Sequence, residues 1–409
     1  MSKNIASAPR ALVVGGGIAG PTVANALSKA GWAPTIVEKA PERRKGGYFV
    51  GVFASGRRTA ERLGILKYMT NRTPTPSINY EGDRLGNRKL GISFSSVPGG
   101  PWMTVRGDVE EAAFAALDPA IPVHFSTTPT KIEQIGKKVR VELHNTATNS
   151  RTEEEYDLVI GADGLRSTVR QMVFGPHSKY LRRLNAMLVA YELRSEIPGI
   201  PQGEGYIIGE VGHTFAVYPF KDRPPTVLWS YKTNDVDAEF TQPLPDRLRQ
   251  VYGPEPLGPI MERALEELQN APQFVFDSVE QPVLDTWYKG RVVLVGDSAW
   301  CPTLYSGLGI SAAFAGGELL AHELKRSPGN VEQALQTWEA KFRPYAEFYQ
   351  EMGRKNQFVH APASEKELKK RNFLTKLRAS PLTGRVLGFL LSRSKQLKRR
   401  NHDFITGDT

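Results

Sequence analysis

"RALVVGGGIAGPTVANAL", residues 10–27, places a short apolar run, a glycine-dense turn and an amphipathic stretch in immediate succession. Ala11–Val14 read as a buried strand. From Ile18 to Ala30 apolar residues recur at helical spacing until Gly31 ends the pattern. The next segment, "APTIVEK" (residues 33–39), reads as a second strand closing on Glu38 and Lys39. The turn between the first strand and the helix is Gly15-x-Gly17-x-x-Gly20, and Glu38 follows eighteen residues after the last glycine. That spacing, inside a βαβ unit, is the fingerprint of a dinucleotide-binding turn. The first glycine permits the tight turn, the second lets backbone approach a pyrophosphate, and the third lets helix and strand pack closely. Ile18 and Ala19 open the helix, whose N–H groups and partial positive charge meet phosphate, while a carboxylate at position 38 accepts ribose hydroxyls.

Two later segments repeat the strand–turn–helix pattern. "EYDLVIGADGLRSTVRQMVFG" (155–175) gives a buried strand, then Asp163-Gly164, then a helix start at Ser167 and Arg170. "RVVLVGDSAWCPTLYSGLGISAAF" (291–314) gives a strand ending in Gly296-Asp297, a second glycine turn and a helix. Between Ala186 and Lys232 lie "AMLVAYELRS", "EGYIIGEV", "HTFAVYPF" and "TVLWSYK", β-rich runs separated by Gly, Pro and Asp, which read as an antiparallel sheet inserted into an α/β domain. Helical patterns return in "DRLRQVYG", "PIMERALEELQNA" and the long "NVEQALQTWEAKFRPYAEFYQEMGR". No internal repeat or low-complexity stretch interrupts them.

With 409 residues, 40% hydrophobic and 23% charged, the chain is long enough for two packed regions and ordinary for a globular protein. Its lone cysteine, Cys301, rules out an intramolecular disulfide and fits a reducing, cytoplasmic setting. Lys3 and Arg10 precede an apolar stretch as in a secretory signal, but the glycines at 15, 16, 17 and 20 fall where a signal needs apolar residues. No metal-ligand cluster is visible. The net charge of +10 is concentrated in the tail: residues 361–409 hold twelve Lys and Arg against four Asp and Glu. A nucleic-acid-binding surface over the whole molecule is therefore not expected.

Taken in order, the Gly-rich fingerprint, the Asp163-Gly164 motif and the Gly296-Asp297 motif resemble those of the single-component (class A) FAD-dependent aromatic hydroxylases. Over residues 10–350 the chain looks most like the tetracycline-inactivating monooxygenases. The resemblance implies an α/β, Rossmann-like FAD-binding domain of the glutathione-reductase-like, aromatic hydroxylase type, with an inserted α+β substrate domain and C-terminal helices. It divides the chain into FAD-binding segments 1–72, 103–178 and 283–328, substrate segments 73–102 and 179–282, and helices with a basic tail over 329–409. The first glycine turn would hold the ADP half of FAD, and Asp297 the ribityl chain. Gly307, Leu308, Gly309 and Ile310 would aim N–H groups at the flavin pyrimidine edge. Arg106, in "MTVRGDVEEAAF", matches an arginine that contacts FAD and opens a helix; Arg44 stands where the family places a base near the pyrophosphate or the nicotinamide, and Asp163 matches an acid associated with both cofactors. The chain departs from the pattern at Trp300, where a histidine is usual, at Leu304 in place of a proline, and at Leu308 and Ser311 in place of glutamine and asparagine.

The activity implied is NADPH- or NADH-dependent hydroxylation of an aromatic or polycyclic small molecule by O2 through a flavin C4a-hydroperoxide, with an antibiotic such as a tetracycline as a candidate substrate. The alternatives are a non-oxygenating flavin oxidoreductase of the same fold and a non-catalytic flavin-binding protein. No catalytic side chain is assigned. Tyr206, His213, Phe215, Tyr218 and Trp229, on the β-rich runs, are the candidate pocket wall, although strand alternation puts Phe215 and Tyr218 on opposite faces. The tail is expected to pack its apolar face on the body, with docking of this basic amphipathic segment on an anionic membrane as the alternative, and the protein is expected to be a monomer or weak dimer.

Overall fold

The computed structural model describes residues 8–43 and 46–408; Lys3 and Arg44 lie outside the described residues. The opening segment folds as strand Arg10–Val14, helix Ala19–Lys29 and strand Ala33–Val37. These strands pair in parallel, Val13 opposite Ile36, and Leu158–Gly161 pairs in parallel on the other side, Val13 opposite Ile160. Val292–Leu294 extends the sheet beyond Leu158–Gly161, Val123–His124 extends it beyond Ala33–Val37, and only Tyr288–Lys289 at one edge runs antiparallel. Leu12, Val13, Ile36, Val159, Ile160 and Val293 have no solvent exposure. That burial on both faces is why the strands read as continuous apolar runs rather than alternating ones.

A three-stranded antiparallel sheet (Thr127–Ile135, Lys138–Asn145, Ser150–Tyr156), which no sequence motif had marked, is an excursion between two strands of the parallel sheet.

The second large sheet has seven strands. Leu181–Glu192, Glu204–Glu210, His213–Tyr218 and Thr226–Lys232 correspond to the four β-rich runs, and Val275–Pro282 closes one edge. At the other edge Ile78–Gly82 pairs in parallel with Glu204–Glu210, followed by Arg88–Leu90. The sheet is therefore mixed rather than purely antiparallel, because a strand from early in the chain joins it. Helices Leu244–Tyr252 and Gly258–Gln269 cover one face, where Tyr191 donates its hydroxyl to the Ala264 carbonyl (2.6 Å) and Trp229 its indole N–H to Tyr191 (3.1 Å). The other face, with Ala190, Ile207, Tyr218 and Leu228, borders a cavity.

Helix Gly309–Arg326 is buried along most of its length and packs against Ala19–Lys29 and Ala54–Arg62. Helix Val331–His360 then crosses the molecule, and the chain ends in helices Glu365–Ala379, Pro381–Ser392 and Lys395–Asn401.

Candidate flavin and substrate site

The first glycine turn sits where the sheet strands end. Gly15 has φ +113°, and a Cβ there would lie 2.4 Å from the Ala162 carbonyl oxygen; a Cβ on Gly20 would lie 1.9 Å from the carbonyl oxygen of Gly15. Neither position tolerates a side chain, because the turn and the helix pack backbone on backbone. Gly17, Ile18 and Ala19 line a cavity of about 730 Å³. No side chain caps the N-terminus of Ala19–Lys29 and no acidic residue occupies its first turn, so its N–H groups are left for an anion. Glu38 holds the turn from the next strand, accepting from the N–H of Gly16 (2.6 Å) and of Ala40 (2.8 Å). Lys39 beside it is exposed and does not line the cavity.

Arg106 opens helix Arg106–Ala115, pairs with Glu110 one turn on (3.0 Å) and lines the cavity, its guanidinium 3.7 Å from where a Gly17 Cβ would be. Gly296 (φ +65°) turns the chain after Val292–Leu294 so that Asp297 also faces the cavity. Although its carboxylate is open to the cavity, Asp297 is enclosed by protein, and that burial raises its pKa against the opposing pull of Arg106 and a hydrogen bond from Cys301. Burial and the adjacent Asp297 push the Cys301 thiol well above its ordinary value, so it stays a protonated donor rather than a reactive thiolate.

At the second glycine turn, Gly307, Gly309 and Ile310 line the cavity. Leu308 does not: its side chain is fully buried and its N–H is donated to the Ser306 hydroxyl (3.0 Å). Helix Gly309–Arg326 likewise starts without a side-chain cap or an acid in its first turn, so a second set of unclaimed N–H groups faces the same space. Ser311 accepts from the N–H of Phe53 (3.1 Å), pinning helix Ala54–Arg62 to this turn. Trp300 points away from the cavity, within 4.8 Å of Trp287 and 4.9 Å of Phe342 between ring centroids. It therefore fills core beneath the turn.

Asp163 is consumed by structure. It accepts from the Ser167 hydroxyl (2.6 Å), the Thr168 N–H (2.6 Å) and hydroxyl (2.9 Å) and the Val169 N–H (3.1 Å), fixing the start of helix Thr168–Val173, and it does not line the cavity.

Strand pairing decides the opposite wall. Ala190, Leu228, Ala216 and Ile207 lie side by side across four strands, and Ala190, Ile207 and Leu228 line the cavity together with Tyr218 and Thr226. The adjoining row, Val189, Trp229, Phe215 and Ile208, faces the covering helices. The candidate wall is corrected accordingly. Among the five side chains expected there, only Tyr218 faces the cavity, where it stacks on Phe49 at 4.4 Å. Phe215 and Trp229 pack against each other beneath the sheet. Tyr206 donates to the Asp83 (3.0 Å) and Asn87 (3.2 Å) carbonyls of a hairpin, and His213 stacks on Tyr252 beside Glu210. Period-two alternation sends these to the back of the sheet.

Residues without a motif complete the cavity: Tyr48, Phe49, Phe53, Phe94, Tyr305, His360, Arg378 and Arg400. Burial and the neighbouring Arg371 bring His360 down to about 4, so it is neutral at physiological pH; it stacks on Tyr305 at 4.9 Å. Arg400 lies over the Phe53 ring at 4.6 Å, its Nε is buried without a hydrogen-bond partner, and burial with Arg378 nearby lowers it to about 10. Among the described residues neither Arg378 nor Arg400 pairs with a carboxylate. Thr303, at φ +65°, adds a strained β-branched residue to the wall.

This is a cradle for an extended anionic cofactor opening onto an apolar chamber. A family model described as "FAD binding domain" matches residues 9–348. The chain belongs to that FAD-binding family. It is 30% identical over 367 residues to a flavin-dependent monooxygenase of an unknown prokaryotic organism, covering 86% of this chain and 89% of the relative. It is 29% identical over 366 residues to a flavin-dependent monooxygenase of Legionella longbeachae, with the same coverage. Among solved structures it superimposes on the tetracycline destructase Tet(51) with a TM-score of 0.76 at 26% identity, over 92% of this chain and 98% of the other. The flavoprotein is thus an FAD-dependent monooxygenase of the class A hydroxylase type. Its own residues fit FAD: two uncapped helix N-termini and Arg106 offer positive potential, and the close-packed glycines leave room for backbone approach.

Proposed function

We propose that the protein uses NADPH or NADH and O2 to hydroxylate an aromatic or polycyclic small molecule. The observation that carries this reading is the continuity of one cavity, from Gly17, Arg106, Asp297 and Gly309 to the apolar wall of Ala190, Ile207, Tyr218 and Leu228. Bound FAD would supply hydride acceptance from the nicotinamide and two-electron reduction of O2, with one oxygen atom going to the substrate and the other leaving as water. Gly17, Ile18, Ala19, Glu38 and Arg106 would hold its ADP and pyrophosphate portion, Asp297 its ribityl chain, and the N–H groups of Gly309 and Ile310 its ring. The protein contributes position and exclusion of water. Phe49, Phe94 and Tyr218 wall a flat ligand, and Arg378 and Arg400 favour one that bears an acidic or enolic group. The similarity to Tet(51) makes tetracyclines a reasonable first set of substrates.

The test is to purify the protein, record flavin absorbance, and follow NADPH and NADH oxidation with O2 uptake against polycyclic phenols and tetracyclines. We expect ligand-stimulated nicotinamide oxidation and a product heavier by one oxygen atom. Turnover that leaves no oxygen in the product would overturn hydroxylation in favour of a non-oxygenating oxidoreductase.

A further inference from the structure

The C-terminal helix Pro381–Ser392 presents two apolar surfaces. Its inner residues Gly384, Leu387, Gly388 and Leu391 form a groove of about 390 Å³ with Gly91, Ser93, Ser96 and Pro98. That groove adjoins the flavin cavity, for Pro98, Arg378 and Leu391 line both. On the outer surface Leu382 is 81% exposed, Val386 63% and Leu390 60%. Their i, i+4, i+8 spacing puts them in one stripe along the helix. Phe373 and Leu374 on the preceding helix add exposed apolar area.

The tail that carries this stripe is cationic. Lys366, Lys369, Lys370, Lys376, Arg393, Lys395, Lys398 and Arg399 are exposed, against Glu365, Glu367, Asp403 and Asp408 over the same segment. The rest of the molecule is close to electrically balanced, since the tail holds twelve of the 53 Lys and Arg but four of the 43 Asp and Glu. An apolar stripe amid cations fits a surface that is apolar below and anionic above. A second copy of the chain fits poorly, because docking stripe on stripe would bring two sets of exposed cations together. No helix among the described residues is long and apolar enough to cross a membrane, so any membrane association through this region would be peripheral.

We infer that the protein docks on anionic lipid bilayers through the outer face of Pro381–Ser392 and its flanking lysines and arginines. Docked this way, the helix holds the groove about 10 Å, one helix width, from the bilayer. The inference does not depend on which reaction the flavin performs.

The experiment is co-sedimentation of the full-length, FAD-loaded protein with vesicles of phosphatidylcholine, with and without phosphatidylglycerol. Binding is expected to the vesicles containing phosphatidylglycerol at low salt, to be reversed by high salt, and to be weak on phosphatidylcholine alone. The double variant Leu382→Asp with Val386→Asp is expected to lower partitioning at least about tenfold with flavin absorbance and melting temperature unchanged, since both side chains already face solvent. Absence of binding to anionic vesicles at low salt would overturn the inference. So would equal binding by the double variant, or light scattering showing that the stripe instead joins two copies in solution. Flavin absorbance is read separately, so loss of FAD counts against the proposed function and leaves the docking result to be judged on its own.

Discussion

At the scale of single residues, the site rests on backbone packing more than on side-chain chemistry. Gly20 shows this best: any Cβ there collides with the Gly15 carbonyl, so helix and strand must separate to admit it. Gly20→Ala should destabilise the fold by about 1–3 kcal/mol and yield protein without flavin absorbance, measurable by thermal melts and the visible spectrum. Glu38 and Asp163 are both acids at the ends of central strands, yet their carboxylates do different work. Glu38 clamps the glycine turn and Asp163 starts a helix. Sequence reading gave Glu38 to ribose hydroxyls and Asp163 to both cofactors, but not these backbone partners, because hydrogen-bond partners depend on which way a side chain turns. The Trp300 substitution has a physical account: the ring belongs to a cluster with Trp287, Trp338 and Phe342 rather than to the cavity.

At the scale of elements, the βαβ opening, the strand before Asp163 and the strand before Asp297 were legible because burial on both faces leaves an unbroken apolar run. The wall sheet was legible as strands but not as faces. Its four β-rich runs alternate, and only the packing of Leu244–Tyr252 and Gly258–Gln269 against one side decides that Trp229 lies behind and Leu228 in front. The C-terminal helices were legible as basic and amphipathic, not as part of the cavity. Asp403, buried after the last helix, accepts from Arg62 (2.7 Å) and from the N–H groups of Ile405 and Thr406, and anchors the tail to helix Ala54–Arg62. Burial alone would raise its pKa, but Arg62 and those donors outweigh it and keep it ionised. Asp403→Ala should release the tail at a cost of about 1–3 kcal/mol, since Arg62 stays partly solvated. Faster proteolysis after residue 392 would be the readout, and an unchanged cleavage rate would show that the aromatic packing of His402 and Phe404 on Tyr345 suffices.

At the scale of the whole molecule, burial keeps several histidines neutral. His177, His213, His360 and His402 all have pKa values lowered by desolvation, His360 from 6.5 to about 4. Each binds its proton more readily unfolded than folded, so stability rises with pH between the folded and unfolded values and is lost as pH falls through that window. Thermal melts should therefore show stability increasing from about pH 4 to about pH 6.5, the His360 window. His360→Gln should flatten that slope and alter ligand affinity, because the imidazole also lines the cavity.

By itself the sequence determined the strand–turn–helix units of the cofactor end, though not that Lys39, Asp163 and Leu308 stay off the cavity. Glycines, an acid and apolar strands at fixed spacing within single βαβ units are local features, and local geometry follows from local order. The substrate end was decided only by tertiary structure. Phe49, Phe94, Tyr218, His360, Arg378 and Arg400 come from segments far apart in the chain. Apart from the β-rich run that carries Tyr218, no short-range pattern marks them; they meet because the mixed sheet, the long helix and the returning tail all border one cavity.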